Sequence, residues 1–170
     1  SLATHIKKGV SERAMQGKHL GGIPFGYQSC WEGPKGGRQL SCEPEHPAGL
    51  HPVARETEAV RELFRHYATG TTTLSQLATW MNGQGFRTRN MKKIADGSGI
   101  LQGGPRLFTT ASVRGILHNP FYYGKVKHLK QLLPGAQEPL VSEELFQTVQ
   151  SATKRNSGRS STLNPHPQRE

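Results

Sequence analysis

Residues 59–82 read AVRELFRHYATGTTTLSQLATWMN, and the spacing within this stretch decides the fold class. Val60, Leu63, Phe64 and Tyr67 fall at i, i+3, i+4 and i+7, which is one apolar stripe along a helix. Glu56 and Glu58 precede the stripe and Gly70 follows it, matching the charge preference of a helix start and the usual stop residue. A helix is therefore predicted from Arg55 to Thr69. After a short polar connection, Leu74, Leu77, Ala78 and Met81 repeat the stripe, Thr73 and Gln76 have capping-box spacing, and Gly83 and Gly85 end the run. Two amphipathic helices joined by a tight turn are expected.

Downstream, Asn90 to Pro105 contains Lys92, Lys93 and four glycines without periodicity, so it reads as a long, mobile basic loop. A third helix is predicted from Thr109, which can cap, to Leu117, with Val113, Ile116 and Leu117 inward. Steps of 100° put Ala111, Gly115 and His118 on the opposite face with Arg114 on the flank, leaving an outer surface that is small and basic. Asn119-Pro120 ends this helix, and FYYGKVKH (121–128) is aromatic and β-branched, which predicts a strand carrying Lys125 and Lys127 on one side. Ser142 caps a last helix with Glu143 and Glu144 in its first turn and Leu145, Phe146, Val149 and Ala152 inward. From residue 154 on, the composition predicts a flexible tail.

Upstream, Ile6, Val10 and Ala14 suggest a basic helix over residues 4–18 that frays at Gly17. GGIPFGY (21–27) suits a turn entering a strand, and residues 27–32 and 38–42 flank Gly33-Pro34-Lys35-Gly36-Gly37 as a hairpin would. The expected organisation is a linker over 1–20, a domain over 21–153 and a tail over 154–170. The fold class expected is α+β, a helical core with a helix-turn-helix-like element and small hairpins.

The whole chain has 170 residues and a formal charge of +10. The charge is concentrated: residues 84–130 hold nine Lys and Arg against one acid, whereas 21–83 are nearly neutral. Such a segment attracts polyanions. No apolar run approaches the roughly 18 residues of a membrane span, and the N-terminus lacks a signal-peptide core. Two cysteines make no disulfide framework and fit a reducing compartment, so a cytoplasmic location is expected. Cys30, Cys42, His46 and His51 could in principle bind zinc, but the first interval is too long for the usual structural spacing. A tyrosine nucleophile at Tyr122 or Tyr123 is outweighed by an ordinary packing role, and neither a phosphate-binding Gly-rich loop nor a paired-carboxylate signature is present.

Four blocks, GGIPFGYQ (21–28), AVRELFRHYATGTTTLSQLATWMNGQGFRT (59–88), SVRGILHNPFYYGKV (112–126) and PLVSEELFQTVQSA (139–152), occur in the order and spacing of a known family. The chain resembles the recombinase domain of large serine recombinases, the phage integrases and transposon resolvases, over about residues 14–153. Two features depart from that family: Phe108 stands where a tryptophan is usual, and the Tyr-x-Arg-x-Ser catalytic motif is missing. A zinc ribbon cannot be built from two cysteines either. The resemblance implies the DNA-binding fragment of an enzyme that cuts with a serine, works as a dimer or tetramer on DNA and needs no metal for the chemistry.

The expected function is sequence-specific binding of double-stranded DNA at a recombination half-site, without catalysis, cofactor, metal or small-molecule substrate. The expected contacts are Arg13, Lys18, His19, Arg87, Arg89, Lys92, Lys93, Arg106, Thr109, Thr110, Ser112, Arg114, His118, Lys125 and Lys127. The N-terminal segment and residues 87–105 are expected to be contact arms that order only on DNA. The competing reading is an RNA-binding or ribosome-associated basic protein, which would stack bases on aromatics; aromatics make up only 7% of the chain.

Overall fold

The computed structural model describes residues 2–17, 22–30, 49–88, 92–93, 101–102 and 104–160. Helix α1 spans Leu2–Met15, followed by strands β1 (Tyr27–Cys30) and β2 (Gly49–Pro52) and helices α2 (Ala54–Ala68) and α3 (Leu74–Gly83). Then come β3 (Lys92–Lys93), β4 (Leu101–Gln102), α4 (Thr110–Leu117), a 3-10 turn at Pro120–Tyr123, β5 (Lys125–His128), β6 (Gln131–Pro134) and α5 (Glu143–Ser160).

The stripes predicted from periodicity are the faces that pack. α2 buries Val60, Leu63, Phe64 and Tyr67 and ends where Gly70 turns left-handed at φ +75°. α3 opens on the expected capping box: Thr73 Oγ1 accepts from Gln76 N at 3.2 Å, and Gln76 Oε1 accepts from Thr73 N at 2.9 Å. Leu77, Ala78 and Met81 close over α2, and Val113, Ile116 and Leu117 of α4 complete the helical core. Ser142 Oγ accepts from Leu145 N at 3.2 Å to start α5, whose Phe146, Val149 and Ala152 are buried. This helix continues through Ser160, beyond residue 154, where a flexible tail is expected from composition. The reason is local: Asn156 Nδ2 still lies 3.5 Å from the Tyr67 hydroxyl, so the helix keeps a partner on α2 past the last apolar residue of its stripe.

Aromatic side chains join the helices to the strands. Phe64 lies with ring centroids 6.1 Å from Tyr122 and 6.0 Å from Phe146, and Tyr27 sits edge-on to Phe121 at 5.0 Å. The expected strand over 121–128 is corrected here: residues 120–123 form the 3-10 turn, and only 125–128 are extended. A strand sends alternate side chains to opposite faces, yet Phe121, Tyr122 and Tyr123 are all buried. Asn119 Oδ1 accepts from Phe121 N at 3.0 Å to start the turn, Pro120 fixes its first residue, and Gly124 at φ +89° releases the chain into β5. Tyr122 O then accepts from both Leu140 N and Val141 N, at 2.8 and 3.1 Å.

The described strands form three antiparallel pairs. β1 pairs with β2, Tyr27 opposite Pro52 and Cys30 opposite Gly49; the segment 38–42, expected as the second arm of a hairpin with 27–32, lies outside the described residues. The loop expected over 90–105 is a hairpin where it is described. Lys92 pairs with Gln102, Lys93 with Leu101, and Thr88 bridges to Arg106, all in one register. Strands of two residues are too short to leave a period in the sequence, which is why the segment reads as a loop.

α1 is docked. Ala14 is fully buried, Ser11 Oγ lies 3.2 Å from His128 Nε2 on β5, and Gly17 O accepts from Ala136 N at 2.9 Å. The expectation of an unordered N-terminal arm is therefore corrected: through Gly17 the segment is a helix held against the β5–β6 hairpin. Gly17 has φ +69°, and a Cβ there would stand 2.7 Å from Ala136 N and 2.8 Å from Pro134 O, both backbone atoms that cannot move aside cheaply. Gly17→Ala should therefore undock α1 while leaving the core of α2–α5 folded. Amide exchange checks this: faster exchange across residues 8–16, with protection in α2 unchanged, is the expected result.

Candidate nucleic-acid interface

α4 is held by its neighbours through backbone-like contacts. The Asn82 side chain near the end of α3 donates from Nδ2 to Phe108 O at 2.9 Å and accepts at Oδ1 from Phe108 N at 2.7 Å, reproducing the two bonds of a strand pair. One residue later Thr109 opens α4 with a second capping box, in which Ser112 takes the place of the usual Glu or Gln. Ser112 N donates to Thr109 Oγ1 at 3.3 Å and Thr109 N to Ser112 Oγ at 2.7 Å. Phe108 is buried edge-on against Phe25, centroids 5.2 Å apart. The start of α4 is thus fixed from both sides.

The outer face of α4 is open. Thr110, Ala111, Arg114, Gly115 and His118 are exposed, while Val113, Ile116 and Leu117 face the core. Thr110, Ala111, Arg114, Gly115 and His118, together with Leu74 of α3, line a shallow groove of about 540 Å³. A second depression of about 710 Å³ adjoins it at Arg114 and Leu74 and runs along the α2–α3 turn, Gly70 to Ser75. Its neighbours on this face are Thr110, Ala111, Gly115 and His118, so the guanidinium of Arg114 is the permanent charge of the groove.

Charge pairing separates the faces of the domain. On α2, Glu58 pairs with Arg61 at 3.6 Å and Arg65 at 3.2 Å, and Glu62 pairs with Arg65 and, at 3.2 Å, with His66. The bond to Glu62, chiefly, raises the pKa of the already cationic Arg65. That surface neutralises itself. Among the described residues, by contrast, no hydrogen bond or ion pair engages the side chains of Arg114, His118, Lys125, Lys127 or Lys130. Lys127 and Lys130 are exposed and Lys125 is half-buried.

The other residues singled out from the sequence separate into groups. Thr109 is exposed and Ser112 half-buried, and both spend their hydroxyls on the capping box. Arg87 donates from one nitrogen to Asn82 O and Phe86 O, at 3.3 and 2.6 Å, and so caps the end of α3. Arg106 is exposed beside the bridge to Thr88, and Arg13 is exposed in the last turn of α1. Lys92 and Lys93 lie on β3. Lys18, His19 and Arg89 lie outside the described residues, as do Cys42 and His46. Among the described residues no group of three or more His, Cys, Asp or Glu gathers as metal ligands. Lys130 and the hydroxyl-rich turn Thr71–Ser75 do not stand out in the sequence: a lone lysine in a turn and a run of threonines carry no period, and only the fold sets the turn beside Arg114.

The tyrosines do not suit nucleophilic chemistry. The buried Tyr122 hydroxyl donates to Phe25 O at 2.7 Å, and burial, then the nearby Glu143 carboxylate, pushes the Tyr123 phenol up. Tyr27, whose hydroxyl donates to Glu138 O at 2.6 Å, is pushed up by burial and then by Glu138. An attacking phenolate needs the opposite shift.

Residues 54–156, from the first turn of α2 into α5, match the Recombinase family. The chain belongs to that family. The recombinase match contains α4, both capping boxes, the Asn82 clamp and the β5–β6 hairpin, and leaves α1, β1 and β2 outside it. The fold is similar to that of a solved LSR–DNA complex, with 20% identity, a TM-score of 0.60, and 90% of this chain and 38% of that one covered. It is equally similar to a structure concerned with the sequence requirements of the Listeria innocua prophage attP site, with 19% identity, a TM-score of 0.60, and 89% of this chain and 52% of that one covered. The chain thus spans about 38% and 52% of the two structures it matches. No curated protein matches it in sequence. Among the described residues, no helix is long and apolar enough to cross a membrane.

Proposed function

We propose that the chain is the DNA-binding part of a serine site-specific recombinase and binds double-stranded DNA at one half of an attachment site, with α4 in the major groove. The observation that carries this reading is the outer face of α4: small, exposed and cationic, held rigidly by the Asn82 clamp, inside a recombinase-family fold. A major groove admits one helix whose outward side chains are short or basic. Lys125 and Lys127 on the adjoining hairpin supply phosphate contacts. One fold relative is an LSR–DNA complex and the other was solved in connection with a prophage attP site, which supports a duplex attachment site as the partner. In the whole enzyme this part would work within a dimer or tetramer in the cytoplasm of a bacterial host, with the serine chemistry carried elsewhere. By itself it binds and does not cut. The domain division 1–20, 21–153 and 154–170 is kept as part of this proposal, with α5 crossing the last boundary.

Selection from a random duplex pool, followed by footprinting on the enriched sequence, tests the reading. One defined motif protected at major-groove guanines is expected; equal retention of single-stranded RNA would favour the RNA-binding alternative. Replacing Lys125 and Lys127 together by Ala should flatten the log-log salt dependence of binding by about two units, one for each phosphate released. An unchanged slope would take the hairpin off the DNA.

A further inference from the structure

The turn between β5 and β6 contains the only two non-glycine residues with positive φ among the described residues, Leu129 at +46° and Lys130 at +68°. His128 faces Gln131 across the ladder, so this is a two-residue hairpin turn with both central residues left-handed. Such turns select Asn-Gly, because a Cβ in this region crowds the following carbonyl. Here the first position holds a leucine that is 78% exposed, so no burial compensates for the strain. Strain kept at an exposed position points toward a function for the side chain.

The hairpin beneath the turn is braced on one face and cationic on the other. Val126 and His128 share the face covered by α1, as the Ser11–His128 contact shows. On the opposite face lie Lys125 and Lys127, with exposed Leu132 across from Lys127. Four residues at about 3.3 Å each carry the tip roughly 13 Å beyond Gly124. A protruding, fixed tip with an apolar side chain between lysines matches a duplex minor groove, whose walls carry phosphates and whose base steps can open to admit an apolar wedge.

We infer that Leu129 is an apolar minor-groove wedge and Lys130 its phosphate anchor, so that the β5–β6 hairpin contacts the groove next to the one occupied by α4. This rests on the DNA-binding reading above. The left-handed turn holds the leucine at the apex, and the three lysines, none with a partner among the described residues, meet the backbones on either side.

The experiment uses the full 170-residue chain and the duplex it enriches from a random pool. Hydroxyl radicals report the minor groove and dimethyl sulfate reports guanine N7 in the major groove. Wild type should protect both, in adjacent stretches. Leu129→Ala should lose the minor-groove protection, keep the N7 protection and bind about tenfold more weakly. Leu129→Asn with Lys130→Gly should also lose the minor-groove protection and keep the N7 protection, and bind still more weakly with a salt slope smaller by about one unit, because the Lys130 anchor is gone too. It should nevertheless melt at a higher temperature because it relaxes the turn; this separates loss of the wedge from loss of the fold. Minor-groove protection absent in wild type, or unchanged in both variants, overturns the wedge and leaves the DNA reading standing. So does a self-associated wild type that Leu129→Asn makes monomeric with the footprint unaltered. No enriched duplex at all overturns the DNA reading and the wedge together.

Discussion

Phe64→Ala should abolish the cooperative fold of the chain. The ring is fully buried on α2 and is shared by three layers of the structure: its own helix, Tyr122 of the 3-10 turn and Phe146 of α5. Removing a buried phenyl ring costs about 3–5 kcal/mol, the larger values where the surroundings cannot close over the cavity. Here they cannot readily close. Tyr122 is pinned by its hydroxyl bond to Phe25 O and by the bonds from Leu140 and Val141 to its carbonyl, and α5 is fixed at its start by Ser142. A domain of this size has about 5–15 kcal/mol in total, so the loss takes much or all of the margin. Urea and thermal melts check it, with a broad or absent transition expected. A sharp melt within a few degrees of the parent would show that the three layers are held together without this ring.

The residues around Phe64 also show how far the sequence could be read. α2 and α3 repeat an apolar residue every three or four positions for two full turns or more, so their faces were legible as periods, and Thr73 with Gln76 announced its own cap. α4 is only eight residues, yet Val113, Ile116 and Leu117 sufficed because Thr109 marks its start. The short extended pieces were different. β1 finds its partner at Gly49–Pro52 across an intervening segment, and β3 and β4 have two residues each, so neither offers a pattern. Tyr122 and Tyr123 have the composition of a strand but are turned by Asn119-Pro120 and Gly124, and only burial on all sides reveals it. Within the candidate interface, the concentration of cations was visible from composition alone. Which of them are free was not: Arg87 is spent on the end of α3 while Arg114 is not engaged, and nor was the Asn82 clamp on α4, whose two bonds reach 26 positions along the chain.

The same distinction between engaged and free cations fixes the expected effect of Arg114→Ala, which should lower affinity for the enriched duplex by about 1–3 kcal/mol, roughly five- to 150-fold. Arg114 stands where the groove along α4 meets the depression along Thr71–Ser75. A planar guanidinium there can present two donors to the O6 and N7 of one guanine, the commonest specific contact of a helix in the major groove. Arg65 provides the control. It is also exposed on a helix, but Glu58 and Glu62 already hold it, so Arg65→Ala should leave DNA affinity within about twofold, the scale of a surface change. The comparison that decides Arg114's role is between the enriched duplex and random DNA at one fixed salt concentration. A loss confined to the enriched duplex means base readout. Equal losses on both, with the salt slope smaller by about one unit, mean a phosphate contact. No loss on either would mean that Arg114 touches neither base nor phosphate, and would leave Thr110, Ala111 and His118 as the side chains through which α4 could read the groove.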